Sequence, residues 1–309
     1  MKSLKYILPL FSLLLCNCAF KSNKKVDAVK TSKSMPFSKI DFSKEYEIDD
    51  TEFGTETKML IVNGWRKMSS NSLANHPTGT FPNEGNPNKI KAQKLEYSFT
   101  LNPKLSGESK WAREPGVAVN GIKFEPETAE RFVCESGEVY RIEAIQNLLD
   151  LGLDFNHAHV QPTGAYHYHG VPTELIKKLD NGKDIILVGY AKDGFPIYYS
   201  KSGKYKASYV LSKELRTGDI CNYTNPHQSM DRVLSNTRPD GTFVSDWIYV
   251  EGKGELDECN GIQIDGEYSY FITDEYPYVS RCLKGEFMEK HPPGPPPGQH
   301  SHGFKKPKH

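Results

Sequence analysis

The sequence has no excess of charge of either sign, since it carries 39 basic and 39 acidic residues among 309. Proteins that bind nucleic acid neutralise phosphates with clustered Lys and Arg, so this balance argues against nucleic acid as the main partner. Beyond the first residues, no apolar run approaches the ~20 residues that a membrane-spanning helix needs. We therefore expect a globular body.

Two short catalytic signatures are also missing from the sequence. Without a Cys-x-x-Cys pair, thiol redox catalysis and a compact zinc knuckle are weakly supported. Without a Gly-x-Ser-x-Gly turn, a serine hydrolase of the Ser-His-Asp type is not supported.

The N-terminus is typical of an exported protein. Two lysines precede an apolar run over residues 7–15, which is too short to span a bilayer. The run ends near Cys18, and residues 1–18 resemble a lipoprotein signal peptide in which Cys18 becomes the lipid-bearing residue. Cleavage at Cys16 and plain secretion are the alternatives. The prediction is a protein of the bacterial cell envelope, with a membrane as partner through its lipid anchor.

Composition divides the rest of the chain into three parts. Residues 19–45 are rich in Lys and Ser, as expected for a flexible tether. Residues 46–286 are long enough for one large or two small domains, and we expect one β-rich domain. Residues 287–309 are rich in Pro, Gly and His, which predicts a disordered tail. Its four histidines indicate either weak metal binding or an ordinary solvated terminus.

Thirteen residues, 157–169, contain two His-x-His pairs, which are His157 with His159 and His167 with His169. In a strand, side chains two residues apart lie on the same face. The Pro-Thr-Gly between the pairs is typical of a turn. A hairpin would therefore place four imidazoles opposite one another, which predicts a metal site.

The ligand types predict which ion this site would hold. Imidazoles without thiolates favour a transition metal, Zn²⁺ or Cu²⁺ above all, over Ca²⁺ or Mg²⁺. Asp154 is a candidate ligand or hydrogen-bond acceptor, and Asp193 a candidate acceptor behind the ligands. Three bound imidazoles would leave a position for a nucleophilic water, whereas four would close the site.

The histidine segment has a degenerate second copy in the sequence. Leu153-Asp154 precedes Tyr166-His-Tyr-His, and Leu256-Asp257 precedes Tyr268-Ser-Tyr-Phe at nearly the same spacing. If the copies are related, the shared tyrosines are scaffold with buried rings, and only the first copy kept its histidines. A chance similarity between two Tyr-rich strands is the alternative.

Short β-branched and aromatic segments separated by Gly, Pro, Asn and Asp predict a mainly β, sandwich-like body. Apolar spacing predicts two short helices that flank the histidine hairpin, over 143–151 and from Thr173 to Leu179.

Four cysteines remain after the signal segment, which in an exported chain indicates two disulfides with three possible connectivities. The internal similarity favours pairing Cys259 with Cys282, and Cys134 with Cys221 then follows by elimination.

The tetrapeptide Tyr166-His-Tyr-His resembles the motif that names the bacterial YHYH protein family. Four further segments match this family, namely Gly116-Val-Ala-Val-Asn-Gly, Val188-Gly-Tyr-Ala-Lys-Asp-Gly-Phe-Pro-Ile-Tyr, Leu256-Asp-Glu-Cys-Asn-Gly, and Tyr276-Pro-Tyr followed by Cys282. The resemblance covers about residues 115–285 and implies an exported protein with a metal role. Where the family often has His after Asn-Gly in the second copy, this chain has Ile262.

Three functions are compatible with these observations. The first is metal handling by an exported lipoprotein that binds a transition metal. The second is a metal-dependent hydrolase with Asp193 or Asp154 as general base. The third is a non-enzymatic module that binds carbohydrate or protein on its Tyr-rich strands. Only the first two require a bound metal.

Overall fold

The structure is a computed structural model, which describes residues 36–225 and 228–287. The strands of the first half are β1 (Tyr46–Asp50), β2 (Thr55–Val62), β3 (Trp65–Ser70), β4 (Leu95–Thr100), β5 (Leu105–Trp111), β6 (Gly116–Ala118), β7 (Lys123–Phe124), β8 (Arg131–Cys134), β9 (Val139–Arg141), β10 (Ala158–Val160) and β11 (Tyr166–Tyr168). Helix α1 (Thr173–Leu179) follows, and the later strands are β12 (Ile185–Ala191), β13 (Pro196–Ser200), β14 (Tyr209–Leu211), β15 (Ile220–Thr224), β16 (Ser229–Val233), β17 (Trp247–Tyr249), β18 (Gly261–Ile264), β19 (Glu267–Ile272) and β20 (Cys282–Gly285). The predicted mainly β class is confirmed.

These strands form several sheets, of which the largest has eight strands in the order β10-β11-β7-β6-β12-β13-β19-β18. The other sheets among the described residues are two four-stranded sheets, β1-β2-β3-β4 and β16-β15-β8-β9, and two strand pairs, β14-β17 and β20-β5. The eight-stranded sheet carries the histidine hairpin at one edge, so its organisation positions the site.

The two halves of this sheet correspond to each other strand by strand. Its middle is the antiparallel pair β6-β12, in which Val117 lies opposite Tyr190. On one side β7 pairs in parallel with β11, and on the other β13 pairs in parallel with β19. Each outer strand then closes an antiparallel hairpin, β10-β11 or β18-β19. The halves are therefore related by a local two-fold arrangement around β6 and β12.

Matching turns connect the inner strands of each half. Asn120-Gly121 follows β6, and Asp193-Gly194 follows β12. Both glycines have positive φ, 84° and 94°, a region that glycine enters without steric cost. In each turn the glycine N–H donates to an alanine carbonyl three residues earlier. The correspondence thus reaches beyond the hairpins that the sequence indicates.

One of the two predicted helices is present. Helix α1 begins and ends where the apolar spacing predicts, with Leu175, Ile176 and Leu179 buried. Residues 143–151 are not helical, so that prediction was wrong. The Gln146 side chain accepts the backbone N–H groups of Leu148 and Leu149, a local bond that competes with helix hydrogen bonding. The segment is an irregular loop instead.

Both preferred disulfides are present. Cys134 and Cys221 face each other across the pair β8-β15. Cys259 and Cys282 link the segment before β18 to β20. Each bond therefore joins segments that are distant in sequence and adjacent in the fold.

Part of the expected tether lies against the domain. Phe42 is buried, and its carbonyl accepts a hydrogen bond of 3.0 Å from the Tyr190 hydroxyl. The predicted signal peptide and lipidated Cys18, most of the tether and almost all of the tail lie outside the described residues. Among the described residues, none of the helices is long and apolar enough to cross a membrane.

Candidate metal centre

The hairpin β10-β11 brings three histidines together. His159 lies directly opposite His167 in the antiparallel register. His169 comes two residues after His167, so alternation along the strand places both imidazoles on one face. Tyr166 and Tyr168, which alternate with these histidines along the chain, are fully buried. Strand geometry therefore separates the ligand candidates from the scaffold tyrosines, as the sequence predicts.

The three imidazoles converge through the same ring atom. Nε2 of His169 lies 3.1 Å from Nε2 of His159 and 2.9 Å from Nε2 of His167. Two nitrogens bound to one tetrahedral zinc ion, each at 2.0–2.1 Å, are separated by about 3.3 Å. Three potential ligand atoms from these histidines all lie within 4.8 Å of one another. This spacing fits a single ion.

A hydrogen bond at the opposite ring nitrogen fixes how the His159 ring is protonated. Nδ1 of His159 lies 2.8 Å from the carbonyl oxygen of Leu151, which can only accept, so Nδ1 is the donor. Nδ1 of His167 lies 3.4 Å from the carbonyl oxygen of Ala165, and its Nε2 lies 3.1 Å from Glu125 as well as 2.9 Å from His169. In a neutral His159 ring the Nε2 lone pair is then directed at Nε2 of His169, which suits a cation bound between these imidazoles.

Burial keeps these rings neutral. It lowers the pKa of His159, and lowers the pKa of His167 and His169 well below the usual value, with the neighbouring imidazoles adding to the effect for the latter two. A neutral imidazole is the form that binds a metal. The centre is therefore in its binding-competent form near neutral pH.

His157 does not join the other three histidines, contrary to the prediction of four ligands. It precedes β10 with a positive φ of 52°, so its side chain leaves the alternation of the strand. Its Nδ1 lies 2.9 Å from the carbonyl oxygen of Val171. The candidate set is thus three imidazoles.

Asp154 is part of the hairpin scaffold and not of the group of ligands. Its Oδ2 accepts hydrogen bonds from the Tyr166 hydroxyl at 2.6 Å and the Gly79 N–H at 2.8 Å. Its Oδ1 accepts the N–H of Asn156 at 2.8 Å. These bonds fix the turn that leads into β10.

A polar chain behind the hairpin was missed by sequence reasoning. His76 is buried, and its Nε2 lies 2.6 Å from the Tyr168 hydroxyl. The amide of Asn120 donates to the same hydroxyl at 2.9 Å. Tyr168 is therefore held from two sides.

Three polar side chains beside the histidines were also missed, because they come from β7 and the end of β10. Oε2 of Glu125 lies 3.1 Å from Nε2 of His167. Gln161 donates to that oxygen at 2.6 Å, and Lys123 lies 3.2 Å from the other carboxylate oxygen. Burial raises the pKa of Glu125, although Lys123 opposes this. The parallel pairing of β7 with β11 brings Lys123 and Glu125 to the site, whereas Gln161 belongs to the hairpin itself.

Asp193 occupies the second half of the sheet, at the position that corresponds to Asn120. Its Oδ2 accepts the Tyr270 hydroxyl at 2.6 Å and the Gly285 N–H at 2.9 Å. Burial raises its pKa to about 6, opposed by the hydrogen bond from Tyr270. Its described bonds are those of a scaffold residue.

A comparison with protein-family models gives one match, to the family described as YHYH protein, over residues 96–285. This is more than half of the 309 residues. The chain belongs to the YHYH protein family. No curated protein and no solved structure matches the chain significantly.

In this YHYH protein the matched region contains the whole eight-stranded sheet and both hairpins. The tetrapeptide that names the family supplies two of the three converging imidazoles, His167 and His169. Its two tyrosines are the buried scaffold. Two residues of the YHYH motif are thus candidate ligands in this chain, and the other two belong to the core.

Proposed function

We propose that this YHYH protein binds one transition-metal ion through Nε2 of His159, His167 and His169, and that it handles this metal at the bacterial cell envelope. The observation that carries the proposal is the convergence of the three nitrogens, at 2.9 and 3.1 Å from His169. Zn²⁺ and Cu²⁺ suit imidazole ligands of this kind.

The burial of the site favours binding over catalysis. His167 and His169 are only 2% and 4% exposed, so the side of the ion next to them is enclosed by protein. A hydrolase needs an ion that a substrate can reach. Metal storage or delivery, in which the ion itself is the ligand, makes no such demand.

The location at the envelope rests on the N-terminal sequence. An apolar segment followed by Cys18 supports export with lipid attachment at that cysteine, and secretion without a lipid is the alternative. Radiolabelled palmitate incorporated by the wild type and not by Cys18→Ser would support the anchor. Equal labelling would refute it.

Elemental analysis of the purified full chain tests the metal proposal. We expect close to one equivalent of a transition metal in the wild type and a large loss in His167→Ala. His300→Ala is the matched control in the His-rich tail and should keep nearly all of the metal. Less than a tenth of an equivalent in the wild type, or equal losses in the two variants, would overturn the proposal.

A further inference from the structure

The second half of the eight-stranded sheet shows which residues belong to the metal centre. Its scaffold matches the first half in detail. The Tyr166 hydroxyl donates to Asp154 at 2.6 Å, and the Tyr268 hydroxyl donates to Asp257 at 2.8 Å. The next tyrosine of each strand bonds to the turn residue of the inner strands: Asn120 donates to the Tyr168 hydroxyl, and the Tyr270 hydroxyl donates to Asp193.

The strand registers therefore assign a counterpart to each site residue. His159 lies opposite His167, as Ile262 lies opposite Ser269. Lys123 lies opposite Val117, as Pro196 lies opposite the corresponding Tyr190. Following these registers, the counterparts in the hairpin are Ile262 for His159, Ile264 for Gln161, Ser269 for His167 and Phe271 for His169. The counterparts in the inner strand are Pro196 for Lys123 and Tyr198 for Glu125.

All six polar residues are thus replaced together, and none of the replacements is charged. Phe271 instead forms an apolar cluster with Tyr205 and Leu256, against which Tyr198, Ile262 and Ile264 pack. The tyrosines and aspartates of the scaffold are retained in the second half. Lys123, Gln161 and Glu125 are replaced there, as the histidines are. This pattern groups them with the histidines in one functional unit.

The contacts of Glu125 place its charge at the triad. Its Oε2 lies 3.1 Å from Nε2 of His167, which is close to the distance between neighbouring ligands of one ion. Both side chains are nearly inaccessible to solvent, at 7% and 2% exposure. A carboxylate is therefore available where a fourth ligand would be needed.

Glu125 shares its lysine partner with a second carboxylate. Lys123 is buried and ion-paired with both Glu125, at 3.2 Å, and Glu114, at 2.5 Å. One lysine thus faces two carboxylates. Arg113 also approaches Glu125, at 3.7 Å, but its side chain is 67% exposed and is therefore screened by solvent. The charge of Lys123 is therefore divided between the buried Glu125 and Glu114, whose side chain is 33% exposed.

We propose that Glu125 is the anionic fourth ligand of the centre, which makes it a three-histidine, one-carboxylate site for a divalent transition-metal ion, with Lys123 and Gln161 as positioning residues. Gln161 donates to Oε2 at 2.6 Å and accepts from Lys123 at 3.0 Å, so these two side chains hold the carboxylate in place. This inference rests on the proposed function and adds to it the class of the ion. A carboxylate is a poor ligand for Cu⁺, which prefers soft sulfur ligands.

Metal titration of the full chain tests this inference. Competition with a chromophoric chelator gives the zinc affinity of the wild type, Glu125→Gln and Glu114→Gln. We expect Glu125→Gln to weaken zinc binding about 100-fold, at the upper end of what the loss of a supporting residue causes. Glu114→Gln removes the same charge from the same lysine without touching His167, and should weaken binding less than tenfold.

The absorption spectrum of the Co²⁺-loaded protein separates a ligand from an electrostatic neighbour. Glu125→Gln should shift the d–d bands, Glu125→Asp should recover part of the affinity, and Glu114→Gln should leave the bands unchanged. An unchanged spectrum and affinity in Glu125→Gln, or equal losses in the two Gln variants, would overturn the role of Glu125. If His167→Ala keeps its metal, the proposed function itself fails. Circular dichroism of each apoprotein verifies that it is folded.

Discussion

At the scale of single residues, Asp193 couples the stability of the fold to pH. Burial raises the pKa of its carboxyl from 3.8 to about 6. Between these values the folded state binds more protons than the unfolded state, so its stability falls as the pH rises. A difference of one in pKa corresponds to about 1.4 kcal/mol, so the neutral-pH cost of this group is about 3 kcal/mol.

Asp193→Asn removes this titration, and Asn120 shows that an amide is compatible with the corresponding position. As the pH is lowered from 7 to 4, we expect the metal-free wild type to gain up to about 3 kcal/mol of unfolding free energy relative to the variant. Urea denaturation at several pH values measures the difference. A difference independent of pH would contradict the assignment.

His157 provides a second test at this scale. Its φ of 52° and its bond to the Val171 carbonyl direct its ring away from the triad. His157→Ala should therefore keep most of its zinc affinity. His159→Ala removes one of the three imidazoles and should lose at least the roughly 100-fold that the loss of a supporting residue can cause. Chelator competition compares the two variants, and comparable losses would restore the four-histidine site.

The residues that the sequence identifies are those whose position follows from alternation within one hairpin. His159, His167 and His169 are of this kind, because a period of two puts them on one face. His157 does not follow this alternation, because it lies outside the strand and its positive φ sets the direction of its side chain. Glu125 and Lys123 lie more than thirty residues earlier, and only a parallel strand pairing, which has no local sequence signal, brings them to the site.

At the scale of elements, the tyrosine–aspartate bond holds each hairpin. Tyr166→Phe removes a donor to a carboxylate and should lower the free energy of unfolding by about 1.5–3 kcal/mol. Tyr268→Phe is the matched change in the second hairpin. Its loss should be smaller, because Lys284 still lies 2.9 Å from the Asp257 carboxylate.

The same pair of variants separates stability from binding. Only the first hairpin carries the histidines, so Tyr166→Phe should weaken zinc binding and Tyr268→Phe should leave it unchanged. Denaturation and chelator competition on the same samples give both quantities. A reduced zinc affinity in Tyr268→Phe would contradict the assignment of the centre to the first hairpin.

The two predicted helices show what local sequence can decide. Helix α1 has a continuous apolar face over its whole length, and the prediction of its ends was right. The 143–151 segment has apolar residues at similar spacing, but Leu149 and Leu151 are buried in a cluster with Phe132 and Phe243 of other elements. Packing against those elements, which periodicity does not encode, selects the irregular loop.

At the scale of the whole molecule, the disulfides close loops of different length. Cys134 and Cys221 are 87 residues apart, and Cys259 and Cys282 are 23 apart. By loop entropy the first should contribute about 4–5 kcal/mol and the second about 3–4 kcal/mol to stability. Double Cys→Ser variants of each pair, compared by denaturation, should follow this order, and the reverse order would contradict the entropic account.

The local two-fold arrangement of the large sheet accounts for where the centre lies. Both hairpins have the same register and the same Tyr-to-Asp hydrogen bond, yet only one half carries converging imidazoles. The sequence indicates the hairpin part of this correspondence through Leu-Asp and Tyr-x-Tyr. The Asn120-Gly and Asp193-Gly turns also correspond to each other. Only the pairing of β6 with β12 in the structure shows this.

Anomalous X-ray diffraction at the zinc edge, from crystals of the zinc-loaded full chain, tests the central claim most directly. The account predicts one strong peak about 2.0–2.1 Å from Nε2 of each of His159, His167 and His169. A peak bound by His157, or no peak at the triad despite bound zinc, would contradict it.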